Sequence, residues 1–170
     1  MTAETVTPEE RAAIIDIYNA YAEGIDSKNW AMVRQCFADE VCIDYGDTSA
    51  GSGNPDEPRR ADDWIPVLQS VINGFDYTQH TITNHRFARE GARIVCRAYM
   101  TADHVILADP GFTEAKAEEV ATVVGEYTNT CELTAEGWKI VRSRLDMAWS
   151  KGNSALFAVA VTRAAATDGC

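Results

Sequence analysis

No stretch of this chain is apolar for long enough to span a bilayer, and basic residues are scarce: 15 Lys and Arg stand against 26 Asp and Glu, a formal net charge of −11. The first absence argues against a transmembrane helix. The second disfavours nucleic acid and anionic membranes as partners, since both select a basic footprint, and the acidity reads as solubility. Residues 1–10 carry neither a basic region nor an apolar core, so no secretory leader is expected. The five cysteines (Cys36, Cys42, Cys96, Cys131 and Cys170) are odd in number and contain no CxxC pair. That argues against a zinc knuckle or a disulfide framework and for buried or free thiols in a reducing cytoplasm.

Other signatures are missing too. The histidines His80, His85 and His104 show no HxH or HxxxH spacing, and on a regular strand His80 and His85 face opposite ways, so no metal site is expected. Gly51-Ser52-Gly53 lacks the lysine and the strand–helix context of a phosphate loop, and no nucleophile elbow is present. No cofactor is therefore anticipated. What is present is ordinary globular material, 46% hydrophobic and 24% charged over 170 residues. That suffices for one domain, 1–170, with a real core.

Thr7-Pro8-Glu9-Glu10 is a helix start, with Thr7 as cap, Pro8 in the first helical position and Glu10 closing a capping box. Ile14, Ile17, Tyr18, Tyr21, Ala22 and Ile25 then recur at helical spacing. Gly24 weakens the end of this helix, and Ser27 is expected to begin a short second one through Trp30, Val33 and Phe37. A strand, Val41 to Tyr45, precedes a Gly/Ser/Pro/Asp-rich loop over 46–60. A third helix carries Trp64, Ile65, Leu68, Val71 and Ile72, with Pro66 in its first turn. From residue 78 the period becomes two, placing His80, Ile82 and Asn84 on one face, with His85 on the other as a structural or interfacial residue. Glu90-Gly91 is a turn. Long strands follow over 92–107 and 120–133, the first with Ile94, Cys96, Ala98, Met100, Ala102 and His104 on one face, the second with Val123, Gly125, Tyr127, Asn129 and Cys131. A last strand runs from Trp138 to Trp149. The segment 150–170 reads as an Ala-rich tail, a closing helix or lid.

Helices gathered on one side of a strongly curved antiparallel sheet make an α+β fold, a cone open at one end and suited to a small molecule. Asp26, Tyr45, His80, His104 and Asn129 each lie on or beside a segment that otherwise reads as core. Each also has a plainer reading: Asp26 as a helix cap, Tyr45 as a core tyrosine, His80 as a satisfied structural histidine, His104 as a surface residue, Asn129 as an edge or bulge residue. Trp64, Trp138 and Trp149 read as core and interface. Apolar residues on both strand faces (Val95, Tyr99 and Val105 against Ile94, Cys96 and Met100) suggest a homo-oligomer.

The order of elements resembles the nuclear transport factor 2-like superfamily, the cystatin-like α+β cone shared by SnoaL-like proteins, ketosteroid isomerases and scytalone dehydratases. YAEGIDSKNW (21–30), the strand ending IDY (43–45), TQH (78–80), ADH (102–104), EGWKI (136–140) and DMAW (146–149) resemble the scytalone dehydratase-like group in sequence and order. The resemblance implies a dehydratase in which His80 is the acid–base group and His104 pairs with Asp26. It implies too that Tyr45 holds a water on the substrate carbonyl and that Asn129 hydrogen-bonds the substrate. It also implies a trimer, or a dimer if the isomerases are the better guide. Two positions depart from the pattern. Ile25 stands where that group has a second tyrosine, and Tyr127 where it has a serine; Tyr127 or Tyr21 is a candidate to replace the missing phenol.

Such a kit can eliminate water from a β-hydroxyketone. Histidine suits both proton roles, a phenol can donate to the oxyanion, and a carboxylate can orient an imidazole. The expected substrate is a small hydrophobic hydroxy-ketone or polycycle. The same residues can run a ketosteroid-isomerase-like proton shuttle or a polyketide cyclisation, and a non-catalytic ligand-binding or subunit role is the third reading.

Overall fold

The computed structural model describes residues 5–46, 54–109, 111 and 114–167. Cys170 and residues 47–53 of the expected loop lie outside them. Helix α1 (Pro8–Asp26) begins as its sequence dictates: the Glu10 backbone N–H donates to Thr7 Oγ1, and the Thr7 N–H donates to the Glu10 carboxylate. Ile14, Tyr18, Tyr21 and Ile25, spaced four, three and four apart, form its buried stripe. Gly24 is there for space, since a Cβ at that position would stand 2.7 Å from Val33 Cγ2 on the next helix.

That next helix, α2 (Trp30–Gln35), starts later than Ser27. Lys28 takes a left-handed φ of 55°, and the Asn29 side chain then caps α2 by accepting from Met32 N–H. Phe37 is accordingly not helical but opens strand β1 (Phe37–Asp44). A two-residue strand β2 (Arg59–Arg60) leads into α3 (Ala61–Ile72), whose early start puts Pro66 in the helix interior rather than its first turn. Pro66 has no N–H for the carbonyl of Asp62, so one rung of that helix is missing.

Strands β3 (Tyr77–Glu90), β4 (Arg93–Val105), β5 (Val120–Thr134) and β6 (Gly137–Gly152) form an antiparallel meander, as their alternation predicts. The full order is β2-β1-β6-β5-β4-β3. The sheet is not wholly antiparallel, because β1 lies parallel to β6. A parallel pair needs a long crossover, and here α3 and the strands β3 to β5 supply it. Register shifts interrupt the β3–β4 and β5–β6 ladders, bending the sheet around the helices. The β3–β4 shift falls between Thr83 and Arg86, where Asn84 has φ 58°. It overturns the expected facing of His85. The extra residue turns the chain, so His85, Phe87 and Arg89 follow His80 and Ile82 on the covered side while Asn84 is exposed. His85 lies edge-on to Tyr18, with ring centroids 5.0 Å apart.

Helix α4 (Leu156–Thr167) is the expected tail helix. It buries Leu156, Ala160 and Ala164, packs on α3, and forms a small satellite core with Phe75 and Ala121. Arg163 ties it to Asp76 at 2.7 Å. Trp149, expected in the core or an interface, is 55% exposed, and Tyr99 and Met147 are each 47% exposed.

The docking of α4 depends on Gly74, where a Cβ would meet the Ala160 carbonyl oxygen at 1.8 Å, a backbone atom with nowhere to retreat. Gly74→Ala should destabilise the protein by about 1–3 kcal/mol, as overpacking does. In urea unfolding with hydrogen exchange, the loss of protection should concentrate in 154–167. Unchanged protection there would refute this account of the contact.

Candidate active site

A cavity of about 510 Å³ lies between α1, α3, the sheet and α4. Ile25, Leu68, Ile72, Met100, Leu145 and Phe157 give it an apolar wall, and its polar groups are few: His80, His104 and three phenols chief among them. Of the residues anticipated from the sequence, His80, His104, Tyr45, Tyr21, Tyr127 and Ile25 all line it.

Asp26 and His80 form the best-defined polar contact. Asp26 is the last residue of α1, and its carboxylate is fully engaged by β3. Oδ1 accepts from Thr78 Oγ1 at 2.9 Å and contacts His80 Nδ1 at 2.7 Å, and Oδ2 accepts from the His80 N–H at 2.8 Å. Partial burial alone would raise the Asp26 pKa, but the hydrogen bonds from His80 and Thr78 outweigh it and hold the carboxyl below its ordinary value. An ionised carboxylate has no proton to give, so His80 Nδ1 carries one and donates it, leaving Nε2 as the basic nitrogen. The His80 side chain is 6% exposed. His80 lines the cavity and Asp26 does not, so the carboxylate stands behind the imidazole. Asp26 is thus not merely a cap, since Asn29 caps α2.

The pairing implied by the family resemblance is corrected here: His104 is not the partner of Asp26. Its Nδ1 instead faces the Ala121 carbonyl at 3.3 Å, and its ring lies among Phe157 (4.7 Å), Phe75 (5.0 Å) and His80 (5.7 Å). It is buried rather than on the surface. Burial, with the nearby His80 adding, pulls its pKa down to about 4. His104 is therefore neutral near pH 7, with Nδ1–H donated to the carbonyl and a lone pair on Nε2.

The third group is phenolic. Tyr45 Oη lies 3.2 Å from Tyr21 Oη and 3.1 Å from Ser143 Oγ. The rings of Tyr21 and Tyr45 lie 5.9 and 6.1 Å from that of Tyr127, and Trp64 is edge-on to Tyr45 at 5.3 Å. Burial raises all three phenols, Tyr21 and Tyr127 furthest, so each remains a protonated donor.

Asn129 departs from expectation in place. It is buried, but it does not line the cavity, and its Oδ1 has no hydrogen-bond partner among the described residues. It pairs across strands with Ser143, a row beyond Tyr127. Two participants escaped the sequence reading, Thr78 and Ser143. Thr78 was findable, because the period of two puts it on the face of His80. Ser143 carried no comparable signal. No group of three or more metal-binding side chains is found among the described residues, and no helix there is long and apolar enough to cross a membrane.

A model of the SnoaL-like domain matches residues 7–144. The chain belongs to the SnoaL-like family. This SnoaL-like domain has the α+β architecture of the nuclear transport factor 2-like proteins. Similar solved structures include one described as an aromatic ring hydroxylase from Novosphingobium aromaticivorans (24% identity, TM-score 0.69, covering 88% of this chain and 96% of that one). A second, described as a scytalone dehydratase from the same species, has 17% identity and a TM-score of 0.65, covering 85% and 92%. A third is the hexachlorocyclohexane dehydrochlorinase LinA-type3 of Novosphingobium barchaimii (14% identity, TM-score 0.66, covering 86% and 91%). No curated protein matches the chain. Three differently described proteins share this frame, and a fold alone does not select a reaction.

His104 gives a measurable signature. Its folded pKa of about 4 lies below the ordinary 6.5, so the unfolded chain binds a proton that the folded one refuses between those values. The stabilisation is complete above pH 6.5 and is lost as pH falls toward 4, on the order of 3 kcal/mol in all. NMR titration should find one imidazole unprotonated down to about pH 4. Denaturation at pH 7.5 and 4.5 should show a smaller pH penalty for His104→Gln than for wild type. Equal penalties would contradict a buried neutral His104.

Proposed function

We propose that this protein is a lyase of the dehydratase type, acting on a cyclic or aromatic β-hydroxyketone by imidazole acid–base chemistry. The observation that carries the reading is His80, held at Nδ1 by Asp26 and set in the wall of an apolar cavity that also holds protonated phenols. The cavity volume of about 510 Å³ suits a ligand of one to three rings.

In this reading the substrate carbonyl points at the phenol cluster and its α-carbon at His80. His80 Nε2 removes the α-proton. The C–H electrons form the enolate, and Tyr45 donates to the developing oxyanion. The imidazolium is stabilised by Asp26 behind it. The enolate electrons then re-form the carbonyl and drive the β-carbon–oxygen bond to break. His80 returns its proton to the departing hydroxyl, so that water and an α,β-unsaturated ketone leave and the imidazole is neutral again. Base and acid are one residue, so proton and hydroxyl depart from the same face. His104, neutral and with a lone pair on Nε2, accepts the leaving hydroxyl's own hydrogen and orients it.

Absorbance assays on a panel of cyclic β-hydroxyketones test the proposal. The wild type should form the conjugated enone. His80→Ala should lower kcat by roughly 10²–10⁴, the usual worth of a general acid–base group. Asp26→Asn should lower kcat comparably with little change in KM, because Asp26 does not line the cavity. Slow double-bond migration without water loss would move the assignment to an isomerase. Neither reaction on any member of the panel would refute this reading in favour of binding.

A further inference from the structure

We propose that Ser143 is a positioning residue for the phenol cluster: its hydroxyl donates to Tyr45, which turns the Tyr45 proton away from Ser143 and strengthens it as a donor to an oxyanion in the cavity. This rests on the reading above that Tyr45 meets the substrate oxygen.

Ser143 is 2% exposed and does not line the cavity, so it has no direct hold on a ligand. It sits on β6 two residues before Leu145, which does line the cavity, and shares that inward face. Among the described residues its side chain has a single hydrogen-bond partner, Tyr45 Oη at 3.1 Å. That fixes the direction of the bond. A hydroxyl has one proton to place, and a buried proton with no acceptor is costly. If Tyr45 donated to Ser143, the serine proton would be stranded in a dry interior. If Ser143 donates to Tyr45, its proton is satisfied and the phenolic oxygen becomes an acceptor. Tyr21 Oη, at 3.2 Å, lies on the same oxygen.

The consequence is electrostatic. Donors onto a phenolic oxygen polarise its O–H bond, and chains of such bonds strengthen one another where the dielectric is low. The three phenols differ accordingly. Burial raises all of them, but hydrogen bonds with Ser143 first, and with Tyr21 and Tyr127, draw Tyr45 back, while Tyr21 and Tyr127 stay well above their ordinary value. Tyr45 is the phenol of the cluster best prepared to stabilise negative charge. Part of that preparation comes from Ser143, a residue that does not line the cavity.

4-Nitrophenol, whose phenolate absorbs in the visible, is the probe. Bound to the wild type it should ionise at lower pH than in water, because the Tyr45 donor stabilises its oxyanion. In Ser143→Ala the ionisation constant of the bound probe should fall roughly two- to fourfold, the scale on which one donor strengthens the neighbouring charge-assisted bond. Ser143→Thr, which keeps the hydroxyl, should restore it. With Tyr45→Phe in the background, Ser143→Ala should have no further effect, a non-additive cycle. An unchanged constant in Ser143→Ala, or no stabilisation of the phenolate by the wild type, overturns the proposal. So does an equal loss in the alanine and threonine variants, which marks packing alone. The readout needs no turnover: a probe shift that behaves as expected in a protein inert toward every hydroxyketone would remove the lyase reading and leave the role of Ser143 standing.

Discussion

The carboxylate of Asp26 binds the end of one helix to the start of one strand, and the rest of the site inherits its geometry from that join. Both oxygens are committed, to the Thr78 hydroxyl and to the ring and backbone nitrogens of His80. The helix that ends in Asp26 carries Tyr21 and Ile25 on its buried stripe, and the strand that receives it carries Thr78 and His80 on one face. Fixing helix against strand at this point sets the imidazole and the Tyr21 phenol at the same time. The contact also fixes the His80 tautomer, because only an N–H can face an ionised carboxylate. Position and tautomer therefore come from a single interaction.

The cavity sorts its polar groups by charge state. Dry walls push the phenols toward staying protonated and push His104 toward staying neutral, both by penalising the charged form. His80 differs in having a counter-charge already in place. It is the group in the cavity wall that can become cationic with a carboxylate in contact. An apolar pocket with one compensated imidazole and several neutral donors is organised for moving a proton between carbon and oxygen, and the donors need not reorient as charge develops.

Much of this was legible in the sequence because it rests on local rules. The capping box at Thr7, the stripe from Ile14 to Ile25, the alternation of β4 and the turn at Gly91 each depend on residues within a few positions of one another. The errors have a common physical origin. His85 was placed on the wrong face because a bulge at Asn84 inserts one residue, and nothing in the string TNHRF requires an extra residue there. The parallel pairing of β1 with β6 joins residues about a hundred positions apart. The partner of Asp26 depended on which of two imidazoles the folded sheet brings within 3 Å, a distance that the resemblance could not supply. Asn129 is buried, but the strand carries it past the cavity to a level beside Ser143. Ser143 itself was invisible: a serine on the inward face of a strand gains meaning only from the tyrosine that the fold sets against it.

Phe157 of the terminal helix lies against His104, with ring centroids 4.7 Å apart, and the same helix closes over the cavity. The terminal helix thus shares in the burial that keeps the basicity of His104 low. Any ligand exchange that lifts this helix admits solvent to the imidazole and lets its proton affinity climb back toward that of a free histidine. An open molecule in mildly acidic solution would then carry a cation where the closed molecule tolerates none, and reclosure would have to expel that proton first.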